Sequence, residues 1–224
     1  DNTNVSSINY ALNSALSGLR SLDILDRVLG ELDRQGLYIL LDFHNYDCAS
    51  INVLWYWSGY SEQDWIADLV FVAERYEGLD NFVGIDIKNE PHGPATWGTG
   101  NPSTDWKLAA EKASREVLDV NPDLLIFVQG IQDNPTCSSQ TSHWWGGNLE
   151  PAGCYPLDIP AGKLVLSPHV YGPDVYVQPY FGAPNFPANM PDIWDMHFGY
   201  LKDLGYAVVI GEFGGGYGHR GDAR

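Results

Sequence analysis

The chain has 224 residues, of which 44% are hydrophobic and 18% charged, a composition typical of a globular protein with a sizeable core. Its formal net charge of -17 disfavours nucleic acids and anionic membranes as partners, because an acidic surface repels their phosphates. The apolar runs are too short to cross a bilayer, and a neutral polysaccharide partner would carry no electrostatic penalty.

Helical and strand patterns alternate along the chain, which predicts strands joined by helical crossovers and therefore a parallel sheet. Apolar residues spaced three or four apart, between capping and stop signals, predict helices over residues 21–36, 61–77, 103–120 and 191–204. Short β-branched apolar runs predict five strands, over residues 37–43, 82–90, 124–128, 163–167 and 206–212. Residues 130–162, rich in Gly, Pro, Trp and Asn, predict a long irregular connection of the kind that binds ligands.

Every predicted strand delivers polar side chains at its C-terminal end. They are His44, Asn45, Asn89, Glu90, Gln129, His169, Tyr171 and Glu212. In an α/β barrel the C-terminal ends of all strands meet at one mouth, where active sites lie. Asp42 and Asp86 fall inside strands and are interpreted as residues of the barrel interior rather than as catalysts.

Two of these residues, Glu90 and Glu212, follow buried runs and precede chain breakers, Pro91 and Gly214 respectively. Paired carboxylates at one mouth suit glycoside hydrolysis, in which one protonates the leaving oxygen and the other meets the developing positive charge on the sugar. Tyr171 is expected to donate a hydrogen bond to a carboxylate, and Asn89 to bind a sugar hydroxyl. The alternative is that both glutamates are merely solvated loop residues.

The three cysteines leave the pairing open. Cys137 and Cys154 flank one irregular loop and are candidates for a disulfide, which would leave Cys48 over. An odd cysteine indicates a partner outside the visible sequence, and a buried free thiol is an equal alternative. No metal site is expected, because no Cys-x-x-Cys or His-Glu-x-x-His spacing occurs among the cysteines and the six histidines. The histidines are His44, His92, His143, His169, His197 and His219. Glycine-rich phosphate-binding motifs are also missing, which weakens a nucleotide-binding interpretation.

Several segments together resemble glycoside hydrolase family 5, and within it the bacterial endo-β-1,4-glucanases. The segments are VGIDIKNEPHGPATWG, LLIFVQG, WWGGNL, SPHVYGP and VVIGEFG, with LDFHNYDC and LWYW pointing more narrowly to that branch. The resemblance implies a (β/α)8 barrel of which strands three to seven are visible, so that residues 1–224 would form one partial catalytic domain. It also implies a secreted, cofactor-free hydrolase that acts on a β-glucan by the retaining, double-displacement route.

Carried over by position, the resemblance makes Glu90 the general acid/base and Glu212 the nucleophile. His44, Asn89, His169 and Tyr171 match residues that hold the first sugar or orient the carboxylates. Four tryptophans are expected to line the cleft: Trp55, Trp97, Trp144 and Trp145.

The chain also departs from the family pattern. The first two strands and the last are not visible, and with them an Arg and a Trp expected near the nucleophile and a cysteine that would pair with Cys48. We therefore expect an internal segment of a catalytic domain, whose open sheet edges favour self-association. Two rival functions remain: another hydrolase of the same clan, such as a β-mannanase or xylanase, and a carbohydrate-binding barrel fragment without turnover.

Overall fold

The computed structural model describes residues 3–46, 50–137 and 142–216. Its helices are α1 (Ser21–Arg34), α2 (Glu62–Arg75), α3 (Trp106–Val120), α4 (Glu150–Cys154) and α5 (Met190–His197). Its strands are β1 (Ile39–Asp42), β2 (Phe82–Asp86), β3 (Leu125–Val128), β4 (Leu164–Leu166), β5 (His169–Tyr171), β6 (Ala207–Val208) and β7 (Glu212–Gly214). Cys48 and His219 lie outside the described residues.

The strands form a five-stranded sheet in the order β1-β2-β3-β4-β6, and every neighbouring pair is parallel. Strand order thus follows chain order, as helical crossovers between successive strands require. A second, two-stranded parallel sheet pairs β5 with β7. The predicted alternation of helices and parallel strands is therefore confirmed.

One of the five predicted strands is broken in two, and another is followed by a strand that was not predicted. The strand predicted over residues 163–167 is β4, and β5 follows it beyond Pro168, which has no N–H to extend a ladder of hydrogen bonds. The last predicted strand splits into β6 and β7, so Glu212 opens a strand instead of closing one. Likewise, the strand predicted over residues 82–90 ends at Asp86, and Glu90 stands beyond it.

The break introduces one extra residue between paired strands. Three residues separate Val208 from Glu212, whereas two separate Leu166 from His169 on the neighbouring chain segment. The extra residue acts as a β-bulge, which bends a strand and re-aims the side chains that follow it. It changes the register so that Glu212 lies directly beside His169.

Helix boundaries follow local capping chemistry. The Ser61 side chain accepts a hydrogen bond from the Asp64 N–H (3.2 Å), and the Asp64 carboxylate accepts one from the Ser61 N–H (2.8 Å), a reciprocal cap that starts α2. The helix predicted over residues 191–204 is shorter, because α5 gives way to a 3-10 helix, Gly199–Leu204. The predicted irregular connection contains α4, which the sequence pattern missed.

Three fully buried tryptophans pack together behind the sheet: Trp55, Trp65 and Trp106. The Trp65 indole N–H donates to the Ile87 carbonyl (2.9 Å), and the Trp106 indole N–H donates to the Gln129 carbonyl (2.9 Å). The core therefore holds the two segments that leave β2 and β3, where the predicted site residues lie. Removing one of these rings would cost about 3–5 kcal/mol.

No described helix combines the length and the apolar character that a membrane span requires.

The five-stranded sheet does not close on itself among the described residues, and both edges carry exposed apolar side chains. Tyr38 is 81% and Leu40 43% exposed at the β1 edge, and Val209 is 49% exposed beside β6. Unpaired edges with apolar side chains favour pairing with another chain. We predict that the 224-residue chain self-associates in sizing chromatography, and that Leu40→Lys shifts it toward the monomer.

Leu12→Lys is the matched control for this prediction, because Leu12 is 81% exposed but lies outside the sheet. A wild-type chain that elutes as a monomer at all concentrations would contradict the prediction.

Candidate active site

Glu90 stands at the end of the segment that follows β2, in a backbone conformation that side chains rarely adopt. Its φ is 50°, in the left-handed region, and it is the only non-glycine residue with positive φ among the described residues. Such a conformation costs about 1–2 kcal/mol and persists only where surrounding contacts hold it. Here the Glu90 N–H donates to Gln129 Oε1 (2.7 Å), and His92 Nδ1 donates to the Glu90 carbonyl (2.7 Å).

Gln129 is oriented in turn by its other end. Its amide nitrogen donates to Asp86 Oδ2 (3.0 Å), so its oxygen faces the Glu90 N–H. Burial raises the pKa of Asp86 well above its usual range, and the nearby charge of Asp42 adds to the effect. Asp42 pairs with Asp86 across β1 and β2, so both belong to the supporting layer of the sheet, as the sequence predicted.

The two predicted catalytic carboxylates approach one histidine. His169 Nδ1 lies 3.0 Å from Glu90 Oε1 and 3.7 Å from Glu212 Oε2, and the ring is buried. The histidine nitrogen and one oxygen of each carboxylate all lie within 4.8 Å of one another. The bulge before β7 thus brings together two glutamates that are far apart in the sequence.

Glu212 is held on its other side by Tyr171, whose hydroxyl donates a short hydrogen bond to Glu212 Oε2. Burial and the contact with Glu212 raise the pKa of Tyr171, so its hydroxyl stays protonated and remains a donor. Because Tyr171 donates to Glu212 Oε2, the other carboxylate oxygen, Oε1, takes no part in this hydrogen bond. His44 Nδ1 lies 3.9 Å from Oε1.

His44 and Asn89 form a second layer next to Glu212. His44 Nδ1 lies 2.6 Å from Asp42 Oδ2, and the Asn89 amide nitrogen lies 3.4 Å from His44 Nε2. These contacts place the Nδ1 of His44 against the Asp42 carboxylate and its Nε2 against the Asn89 amide. Asn89 is fully buried and does not line the cleft, so it lies behind His44.

Both glutamates open into a cleft of about 700 Å³. Its lining is mostly apolar and aromatic, which suits a sugar ring, whose faces are apolar and whose edge is polar. The lining residues are His44, Ile51, Glu90, Gln132, Ser142, His143, Trp144, Trp145, Tyr171, Val175, Tyr176, Val177, Gln178, Pro179 and Glu212.

The expectation for the four tryptophans was half right. Trp144 and Trp145 line the cleft, and Trp145 is 42% exposed. Trp55 and Trp97 do not, because each has 0% exposure. Trp55 packs in the tryptophan core and donates to Glu62 (2.8 Å), whereas Trp97 donates to the Tyr155 carbonyl (2.9 Å). Their indole N–H groups are thus satisfied internally, as buried tryptophans require.

Sequence reasoning missed several residues that shape the site. Lys88 is buried and donates to the carbonyls of Asn52 (3.0 Å) and Asn89, and burial lowers its pKa to about 8. The segment 175–179 forms a wall of the cleft. Gly146 packs against Glu90. The only sequence signal for this residue was the pair of glycines in WWGGNL.

Cys137 and Cys154 are joined as a disulfide, with Cα atoms 6.4 Å apart. This separation is within the range that a disulfide spans. The bond ties the start of the long connection to the end of α4, below the wall of the cleft that Trp144 and Trp145 form.

Two trios of described residues bring a histidine nitrogen and two carboxylate oxygens within 4.8 Å of one another: Asp42, His44 and Glu212, and Glu90, His169 and Glu212. Both trios consist of the hydrogen-bonded groups just described. The chemistry proposed below needs no metal ion, and the expectation of no metal site stays a prediction.

Two buried histidines stack next to the cleft. The His143 and His197 rings lie 4.0 Å apart at 12°, and the Nε2 atom of each is buried without a hydrogen-bond partner. Their Nδ1 atoms contact the Tyr180 hydroxyl (3.1 Å) and Asn148 Oδ1 (3.3 Å), respectively. Burial lowers the pKa of His143 to about 2 and that of His197 to about 4.

These histidines predict a loss of stability in acid. An unfolded histidine binds a proton below about pH 6.5, whereas the folded His197 resists protonation down to about pH 4. The free energy of unfolding should therefore fall as pH drops through this window, by about 1.4 kcal/mol per pH unit for each histidine. Urea denaturation of His197→Phe between pH 4 and 6.5 should show a smaller slope than wild type. Equal slopes would contradict the prediction.

Comparison with known proteins agrees with this geometry. A family model described as "Cellulase (glycosyl hydrolase family 5)" matches residues 3–223. The "Major extracellular endoglucanase" of Xanthomonas campestris pv. campestris is 56% identical over 218 residues, which are 97% of this chain and 45% of that protein. An "Endoglucanase" of Paenibacillus polymyxa is 45% identical over 212 residues, 93% of this chain and 53% of that protein.

Solved structures show the same likeness. The catalytic domain of the Xanthomonas endoglucanase superposes with a TM-score of 0.95 at 56% identity, over 100% of this chain and 64% of that one. The endocellulase of Pyrococcus horikoshii in complex with cellotetraose gives a TM-score of 0.94 at 47% identity, over 99% of this chain and 64% of that one.

The chain spans about half the length of these curated relatives and 64% of the solved catalytic chains. The likeness implies the (β/α)8 barrel, of which the five-stranded sheet is a part. From the family model and the relatives together, the chain belongs to glycosyl hydrolase family 5, the cellulase family.

Proposed function

We propose that residues 1–224 form a catalytic domain that cleaves internal β-1,4 bonds of cellulose or a related β-glucan with retention of configuration. The observation that carries the proposal is the approach of Glu90 and Glu212, an oxygen of each lying within 4.8 Å of the other in one cleft. Retaining enzymes hold their carboxyl groups about 5–5.5 Å apart, whereas inverting enzymes leave about 6.5–9.5 Å for a water molecule. The observed spacing supports the retaining route.

In the first step, Glu212 attacks the anomeric carbon while Glu90 donates its proton to the departing glycosidic oxygen, giving a glycosyl-enzyme. In the second step, Glu90 takes a proton from water, which attacks the anomeric carbon and releases Glu212. Tyr171 orients Glu212 in both steps, and His169, between the carboxylates, positions Glu90. His44, which lines the cleft, is proposed to meet the sugar bound beside Glu212, and the buried Asn89 is proposed to orient His44 from behind.

Secretion of the protein is part of the proposal. The word "extracellular" in the name of the Xanthomonas relative supports it, as does the disulfide between Cys137 and Cys154, since disulfides persist mainly in oxidising compartments. The β-glucan class of substrate is supported by the names of the relatives and by the aromatic lining of the cleft.

Proton NMR of cello-oligosaccharide hydrolysis tests the mechanism. The first product formed should be the β-anomer, before mutarotation mixes the two forms; the α-anomer would refute retention.

Parallel assays on carboxymethylcellulose, mannan and xylan test the substrate. Faster release of reducing ends from mannan or xylan would favour the rival hydrolases, and binding to cellulose without any release would favour a binding fragment.

A further inference from the structure

His92 lies directly between the cleft wall and the backbone of Glu90. Its ring stacks on Trp145 with centroids 3.7 Å apart and planes 8° apart, and it is 6% exposed. Its Nδ1 donates to the Glu90 carbonyl (2.7 Å). One buried ring therefore contacts both an aromatic wall of the cleft and the peptide of the proposed acid/base.

Trp145 has the properties of a sugar platform, an aromatic ring face on which a sugar ring can pack. Trp145 lines the cleft and is 42% exposed, although one face is covered by His92. The uncovered side of an indole ring is a large, flat, apolar surface that loses little conformational entropy when a ligand packs on it. The stacked His92 fixes the plane of that surface from behind.

The Glu90 side of the contact constrains a strained peptide. Glu90 has a φ of 50°, and its peptide groups are held by Gln129 on the N–H and by His92 on the carbonyl. Without the hydrogen bond from His92, the buried Glu90 carbonyl would lose its donor. The turn at Glu90 would also lose one of its two restraints. Burial lowers the pKa of His92, and this effect outweighs the hydrogen bond to the Glu90 carbonyl, which acts in the opposite direction.

We propose that His92 is a positioning residue with two separable roles: it backs the Trp145 sugar platform and it fixes the backbone of Glu90. The inference rests on the proposed function, because it assigns the platform to the β-glucan chain and the backbone restraint to proton transfer. A substitution that removes only the ring should therefore impair the support of Trp145, and one that removes only the Nδ1 donor should impair the restraint on Glu90.

Two substitutions separate the roles. His92→Phe keeps a flat ring under Trp145 but has no N–H, so kcat on cello-oligosaccharides should fall by about 10–100-fold, the scale set by small misplacements of a catalytic group, with KM nearly unchanged. The burst rate of phenol release from an aryl β-cellobioside with a good leaving group should fall much less, because the first step on that substrate needs no proton. A loss of equal size on both substrates would overturn this role.

His92→Asn keeps an N–H near the position of Nδ1 but removes the stacking ring. It should raise KM for cellotetraose and longer chains several-fold, change kcat little, and resemble Trp145→Ala. A fall in kcat without a change in KM would overturn the platform role. Urea denaturation of each variant shows whether it is folded, and the Nδ1–H signal in imidazole NMR of the wild type reports the bond to Glu90 directly.

The test remains decisive if the chain does not hydrolyse any β-glucan, an outcome that would refute the proposed function alone. Tryptophan fluorescence titrated with cellotetraose then measures the platform. Weaker binding by both His92→Asn and Trp145→Ala, with wild-type binding by His92→Phe, supports the inference. Unchanged binding in all three variants, or absence of binding by the wild type, overturns it.

Discussion

Replacement of Glu212 by glutamine is expected to abolish turnover of every β-glucan and aryl substrate, by about 10³-fold or more, the scale on which loss of a nucleophile acts. The amide cannot form the glycosyl-enzyme, and among the described residues Glu90 is the only other carboxylate that lines the cleft. Rate measurements on cello-oligosaccharides and on a nitrophenyl β-cellobioside check this. The Tyr171 hydroxyl can still donate to the amide oxygen, so the fold around Glu212 should be kept.

Glu90→Gln should behave differently. Loss of the proton donor should slow cello-oligosaccharide hydrolysis by about 10²–10⁴-fold. An aryl substrate needs no proton, so its first step should persist and the glycosyl-enzyme should accumulate, visible as a burst of the released phenol. Azide, a nucleophile that needs no base, should then restore turnover in this variant and give the β-glycosyl azide.

Glu77→Gln is the control for both variants, because Glu77 is an exposed carboxylate just beyond α2 and away from the cleft. Equal losses by Glu90→Gln and Glu212→Gln on both substrate types would contradict the distinct roles. A burst in the Glu212 variant but not in the Glu90 variant would reverse them.

The sequence predicted the elements whose signals are local. Apolar runs and capping residues located α1, α2 and α3 to within a few residues, as with Ser61 before α2, because those signals depend on near neighbours. The polar residues after each strand predicted the site, because parallel strands deliver their C-terminal ends to one mouth. Glu90 and Glu212 were predicted in this way, and the structure brings their carboxylates close together.

What the sequence did not predict depends on contacts between distant residues. Trp144 and Trp145 are adjacent, yet Trp144 is 7% and Trp145 42% exposed. Trp55 and Trp97 have the same chemistry as these two but belong to the interior, where Glu62 and the Tyr155 carbonyl accept their N–H bonds. Residue type determines which contacts a side chain can make. Whether the face of a tryptophan ring contacts a sugar or the core depends on how the chain packs around it.

The bulge beside Glu212 escaped prediction for a related reason. Residues 206–212 read as one β-branched run, and the interruption arises only from pairing with the segment that contains Pro168. Pairing register is a property of two strands together. A one-residue difference between them sets which side chain lies beside His169, and therefore whether the carboxylates meet.

Gly146→Ala is expected to disable the site although the residue is not catalytic. Gly146 has a φ of 68°, and an added Cβ would lie 2.5 Å from Gln129 Oε1 and 3.3 Å from Glu90 Cα. Gln129 accepts the hydrogen bond from the Glu90 N–H. The added methyl group would therefore displace both the Glu90 peptide and the Gln129 side chain that restrains it. A displacement of about 1 Å at a catalytic group costs about 100-fold in rate, and we expect a loss of kcat of that size on cello-oligosaccharides.

The positive φ itself also destabilises an alanine, by about 1–2 kcal/mol, and this effect has to be separated from the displacement of Glu90. Gly100→Ala is the matched control, because Gly100 has a φ of 75° and nothing within 4 Å of an added Cβ. Both variants should lose similar stability from the backbone in urea denaturation, with a further loss in Gly146→Ala from the clash, but only Gly146→Ala should lose about 100-fold in kcat. Equal kcat values in the two variants would show that the site tolerates movement of Glu90, since the backbone penalty is common to both.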